Sequence, residues 1–379
     1  MTTVDGAKSG LYGTKAKPET PSRDRYFDAL RAAAIVRIVF YHTFGYGWLS
    51  LIFPSMGVMF ALGGSLMSKS VDRSAEQAIT GRLRRLLPAL WVFGAVVIPA
   101  MFLAGWTHRP DWTRFLMWAV PLVEPPSSEW AAPATGVLWY LVAYLWLVLL
   151  SPVLLRMYRR RPLATIIVPL ILLFAWDSLP VPVGHHVGSA VTDVLTFTSC
   201  WVLGFAHRAG DLRKIRFAVL VPMAAVLVAA GLAWTVMHPG DEGIDLANEP
   251  IAYGIYSLGF TVLLMRISPS MVWLQRRRML NGLVNFCNAR AVTIYLWHNV
   301  AITFSLVIVG YLEGDGVSVW LENAGMIGFL LVLLAGCVAV FGWVEDVAAR
   351  RPVQLLPWHR VPAGRPRKDT PEWCGPVWF

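Results

Sequence analysis

Charge is what this chain has least of. Asp, Glu, Lys and Arg make up 15% of its 379 residues, whereas 56% are hydrophobic, and the mean hydropathy is +0.55. A soluble domain of that length needs more polar surface, so water is not the chain's only solvent. Cysteine is scarce too. The four, at 200, 287, 337 and 374, follow no metal or disulfide spacing and read as small packing residues. No stretch has the make-up of a cleavable signal peptide. Residues 1–24 are polar and rich in Lys, Thr, Ser, Gly and Pro, as expected of a disordered cytoplasmic lead-in. No two halves match, which counts against an internally repeated fold.

What is present is apolar sequence in long runs. A bilayer core about 30 Å thick takes roughly 20 helical residues to cross. Segments near 27–48, 51–68, 86–105, 137–155, 163–177, 190–207, 217–237, 251–267, 291–310 and 326–348 meet that length or nearly so. The expectation is an all-α polytopic membrane protein with about ten transmembrane helices over residues 25–349 and a tail over 350–379. The 18 Trp suit a protein with rings at two lipid–water boundaries.

The distribution of basic residues sets the orientation. With the N-terminus inside, all of the 33 Lys and Arg except Arg37, Arg109 and Arg114 fall in inside segments or at their edges. The outside loops carry instead Asp241, Glu242, Asp245 and Glu249, then Glu313, Asp315 and Glu322. The rule that positive loops stay inside therefore places both termini in the cytoplasm. It also assigns the net charge of +10 to the inner leaflet, with no need for nucleic acid.

Ionisable groups at membrane depth are costly and mark functional candidates. The first helix holds Arg25, Asp28 and Arg31 at i, i+3 and i+6, then Arg37, Tyr41 and His42. His42 lies 11 residues beyond Arg31, roughly 16 Å deeper. Arg82 and Arg85, three apart at the start of the third helix, share a face and can fork onto phosphate oxygens; taken by themselves, they are better explained as an ordinary basic flank. His298, within Tyr295-Leu296-Trp297-His298-Asn299, reaches a depth similar to that of His42. His185-His186 lacks a third partner, and no metal site is expected. The Pro-rich stretch 106–136 is long enough to be either functional or disordered.

Four of these pieces together resemble the acyltransferase-3 family: Arg31 with ten residues to His42, Arg82-x-x-Arg85 ahead of Pro88, Leu138-Trp139-Tyr140-Leu141, and Tyr295-Leu296-Trp297-His298. The resemblance runs from Arg25 to about Glu345. It implies a multi-pass acyltransferase that O-acetylates or otherwise acylates sugars, glycolipids or related cell-envelope acceptors. It further implies acyl-CoA, most simply acetyl-CoA, as co-substrate, with no bound cofactor. His42 would be catalytic and Arg31, Arg82 and Arg85 donor-binding, with Asp28, Trp139, Tyr144, Tyr295, His298 and Asn299 in support. Many members carry a Glu a few residues after the Leu-Trp, where this chain has Tyr144, so no mechanism built on that carboxylate carries over.

An imidazole suits the removal of a hydroxyl proton at neutral pH. His42 is therefore the expected general base. Asp28, roughly 21 Å along the same helix, is too far to orient it, which leaves Tyr144, Asp193 or Asn299. Two other readings remain. A transporter or flippase could use buried Arg and His along a pathway, with Gly63-Gly64 and several prolines breaking helices. A sensor or assembly protein could use them only to hold helices together.

Overall fold

The computed structural model describes residues 25–107, 110–179, 182–239, 243–312, 319–355 and 357. The expected lead-in over 1–24, the tail from 358 with Cys374, and the loop residues Arg109, Asp241, Glu242, Glu313 and Asp315 lie outside them. The described residues contain helices and connecting turns and no strand.

Ten helices of 17 or more residues follow one another: α1 (Arg25–Phe44), α2 (Ser55–Val71), α3 (Ala75–Leu103), α4 (Leu138–Arg160), α5 (Pro162–Ser178), α6 (His185–Ala209), α7 (Phe217–Met237), α8 (Pro250–Ile267), then α10 (Ala291–Leu312) and α11 (Val319–Phe341). Before and after that last pair come the shorter α9 (Arg278–Ala289) and α12 (Trp343–Ala348). Seven helices are long and apolar enough to cross a membrane: α3, α4, α6, α7, α8, α10 and α11. α2 and α5 have 17 residues each, and α1 carries Arg25, Asp28, Arg31 and Arg37. The ten-span count thus remains the expectation drawn from the sequence.

α2, α4 and α6 form the centre, where Phe60 stacks on Phe197 with ring centroids 4.6 Å apart. Fully buried Trp201 donates from Nε1 to Ser151 Oγ at 2.9 Å. α2 crosses α6 so closely that a Cβ at Gly64 would fall on the Trp201 carbonyl, and one at Gly204 on the Ala61 carbonyl. Close approach through small residues is how helices gain dispersion energy where lipid supplies no hydrophobic drive. Gly63-Gly64 therefore serves packing: α2 runs unbroken through it, as α3 does through Pro88 and Pro99. The broken helices that favoured a transport pathway are absent at these positions.

The two ends of the bundle differ in chemistry. At one end, Arg25 Nη1 donates to Asp28 Oδ2 and to Asn285 Oδ1, both at 2.9 Å. Arg159 pairs with Asp72 there, and Tyr158 donates to Asp211 at 2.6 Å. Asp211, also bonded to Lys214, is held below the ordinary carboxylate range by those two donors. At the other end, Tyr41 donates to Asp245 at 2.6 Å and Arg37 Nε to the Leu49 carbonyl at 3.1 Å. The Pro-rich stretch is folded against that second end. Trp91, Trp118 and Trp146 each donate an indole N–H to one of its carbonyls, those of Ala119, Pro126 and Leu122.

Candidate active site

α1 brings the two ends together. Arg31, Ile35, Ile38, Val39 and His42 sit at i, i+4, i+7, i+8 and i+11, a single stripe of a 3.6-residue helix. Arg31, Ile35, Ile38 and Val39 are buried, while Ala33, Val36 and Phe40 on the opposite side are exposed. His42 stands in the last turn of that inward stripe and is itself exposed.

Beside the stripe lies a narrow apolar cavity. α1 lines it with Ile35, Ile38 and Val39, α2 with Met56 and Met59, α3 with Leu86, α4 with Tyr140 and Leu141, and α10 with residues from Ala291 to His298. Its walls are apolar along their length. Its two limits are not. Leu86 is one turn beyond Arg82 and adjacent to Arg85, and Ile35 is one turn beyond Arg31, so this limit lies on the arginine-bearing turns of α1 and α3. His298 forms the other.

At the basic limit Arg31 and Arg82 are buried, 3% and 5% exposed, and within electrostatic reach of each other. Arg31 Nη1 donates to Asn288 Oδ1 at 3.2 Å. The Asn288 amide in turn donates to the Asp28 carbonyl at 2.8 Å, so α9 clamps the arginine-bearing turn of α1. Asn281, Asn285 and Asn288 recur at i, i+4 and i+7. That spacing, visible in the sequence, marks the docking face. Tyr144 lies here as well, acting electrostatically on Arg31 and Arg85, with its ring 5.5 Å from that of Trp201.

At the other limit the rings of His42 and His298 stand 5.2 Å apart, centroid to centroid, and tilted by 53°. His298 is fully buried, and its Nδ1 lies 2.7 Å from the Tyr295 carbonyl. A carbonyl only accepts, so Nδ1 carries the hydrogen, and in the neutral ring Nε2 keeps a lone pair. Nε2 is buried without a hydrogen-bond partner among the described residues, as is the Tyr295 hydroxyl. The neighbour that α10 supplies to His42 is thus a second imidazole. None of Tyr144, Asp193 and Asn299 takes that place. Asn299 donates to the Pro133 carbonyl at 2.8 Å, and Asp193 acts electrostatically on Tyr295. Trp139 stacks on Phe197 at 5.7 Å, and Asp28 accepts from Arg25. Among the described residues no three of His, Cys, Asp and Glu are grouped to hold a metal ion.

The buried arginines and the imidazole pair thus stand at different levels of one bundle. The family model for an acyltransferase domain matches residues 24–344. The chain belongs to the acyltransferase-3 family. It is a multi-pass membrane acyltransferase, and every residue of the cavity wall falls within the matched span. Neither curated proteins nor solved structures give a match to this acyltransferase.

Proposed function

We propose that this acyltransferase takes its acyl group, most simply acetyl, from acyl-CoA and delivers it to a hydroxyl of a sugar, glycolipid or related acceptor. Arg31, Arg82 and Arg85 hold the donor phosphates at the cytoplasmic face of the cell membrane through charge-assisted bonds. The flexible arm runs down the cavity and presents its thioester to the imidazole pair. His42, exposed in the last turn of α1, takes the acceptor hydroxyl's proton as the oxygen attacks the acyl carbon. An ester C–O bond forms, the C–S bond breaks, and the imidazolium returns the proton to the departing thiolate, releasing CoA. Because a protonated imidazole has no lone pair, the rate falls once acidification protonates the base.

One observation carries this reading: a single apolar cavity whose wall includes the His298 ring, in contact with His42, and includes Ile35 and Leu86, each one helical turn from a buried arginine, Arg31 and Arg82. The test is purified protein in nanodiscs, given acetyl-CoA with monosaccharides or glycerol. Acceptor-dependent release of free CoA thiol is expected, and binding of CoA itself should be lost when Arg82 and Arg85 are both replaced by Gln. A folded preparation that neither binds CoA nor releases thiol with any of these acceptors contradicts the proposal.

A further inference from the structure

The segment that follows the last long helix packs against α3 and reaches its arginine cluster. Arg290, fully buried at the start of α10, donates from Nη2 to Asp346 Oδ2 at 2.7 Å and also to the Gln354 carbonyl. The Gln354 amide donates to the same carboxylate oxygen at 3.1 Å. At Arg350 the backbone turns left-handed, φ 54°, and the Arg351 amide donates to the Asp346 carbonyl at 2.8 Å. Arg351 Nη2 is then held 3.2 Å from Asp346 Oδ1, its side chain 32% exposed. The carboxylate of Asp346 thus ties one buried and one half-exposed guanidinium together. α12 packs against α3, and Arg85 lies within electrostatic reach of Arg82, Arg84 and Arg351. Asp346 and Arg351 both fall beyond the 24–344 span of the family match.

Acyl-CoA carries two separate anionic groups: the diphosphate that joins nucleotide to arm, and a phosphomonoester on the ribose. Arg82 and Arg85, three apart on one helix, suit the diphosphate nearest the cavity. A more exposed guanidinium on the outer side of the cluster suits the monoester. A guanidinium has five N–H donors, so it can hold Asp346 and a phosphate together, with its plane already fixed by the carboxylate. We propose that Arg351, positioned by Asp346, binds the ribose 3′-phosphate of the donor and makes this enzyme select acyl-CoA over its dephosphorylated form. The proposal rests on the acyl-CoA reading above.

The experiment compares acetyl-CoA with 3′-dephospho-acetyl-CoA for wild type, Arg351→Gln and Arg351→Lys, all checked for membrane insertion. Wild type should prefer acetyl-CoA. Arg351→Gln should raise KM for acetyl-CoA about tenfold, the scale of one charged hydrogen bond. It should leave kcat and the KM for the dephospho donor unchanged, so that the preference disappears. Arg351→Lys keeps the charge without the fork and should fall between. An active wild type whose preference survives Arg351→Gln overturns the inference alone, as does equal weakening of both donors. Wild type that accepts neither donor overturns the acyl-CoA reading and this inference with it.

Discussion

Replacing His42 by alanine is expected to lower kcat by about 10²- to 10⁴-fold, the usual contribution of a positioned general base, with donor binding left intact. The reason is its place. His42 stands in the last, exposed turn of α1, so its removal opens little buried space, and Arg31, Arg82 and Arg85 lie at the opposite limit of the cavity. Loss of rate should therefore come without loss of CoA affinity, measured side by side by thiol release and by titration with CoA. His298→Ala differs in kind. That ring is fully buried and bonded to the Tyr295 carbonyl, so its loss also disturbs the cavity wall. His42→Ala with an unchanged kcat removes the base assignment.

The second large effect concerns stability. Asp346→Ala leaves Arg290 buried and deprived of its carboxylate. Breaking a buried pair from one side costs about 3–5 kcal/mol, because the remaining charge has lost its compensation. Here the side chains are 0% and 5% exposed, the same carboxylate also carries Arg351 and the Gln354 amide, and the full range is expected. The thermal midpoint of the detergent-purified variant should drop sharply, whereas Arg290→Met with Asp346→Leu should recover much of it. An Asp346→Ala protein as heat-stable as wild type contradicts the view that this network holds the last helix to the bundle.

Helix positions were legible because lipid imposes a simple demand: long apolar runs, bounded by turns whose charge alternates in sign. The inward stripe of α1 was legible for the same local reason, since Arg31 and His42 stand 11 residues apart on one helical face. The partner of His42 was not. His298 is 256 residues away, and similar depth on two helices does not determine which faces meet. Tyr144 illustrates the converse. The motif around Trp139 suggested a place beside the base, yet 1.5 Å of rise per residue carries Tyr144 down α4 to the arginines. By composition Arg351 is one of several arginines among the prolines of residues 350–379. Its role comes from a carboxylate five residues earlier that is engaged by buried Arg290, a geometry that composition does not encode.

The most direct test is a structure determined with a non-transferable acyl-CoA thioether analogue bound. The account predicts phosphates among Arg31, Arg82 and Arg85, the arm inside the cavity between Leu86 and Tyr295, and the sulfur in contact with the His42–His298 pair. An analogue whose nucleotide lies at the His42 end, or whose arm runs outside this cavity, contradicts it.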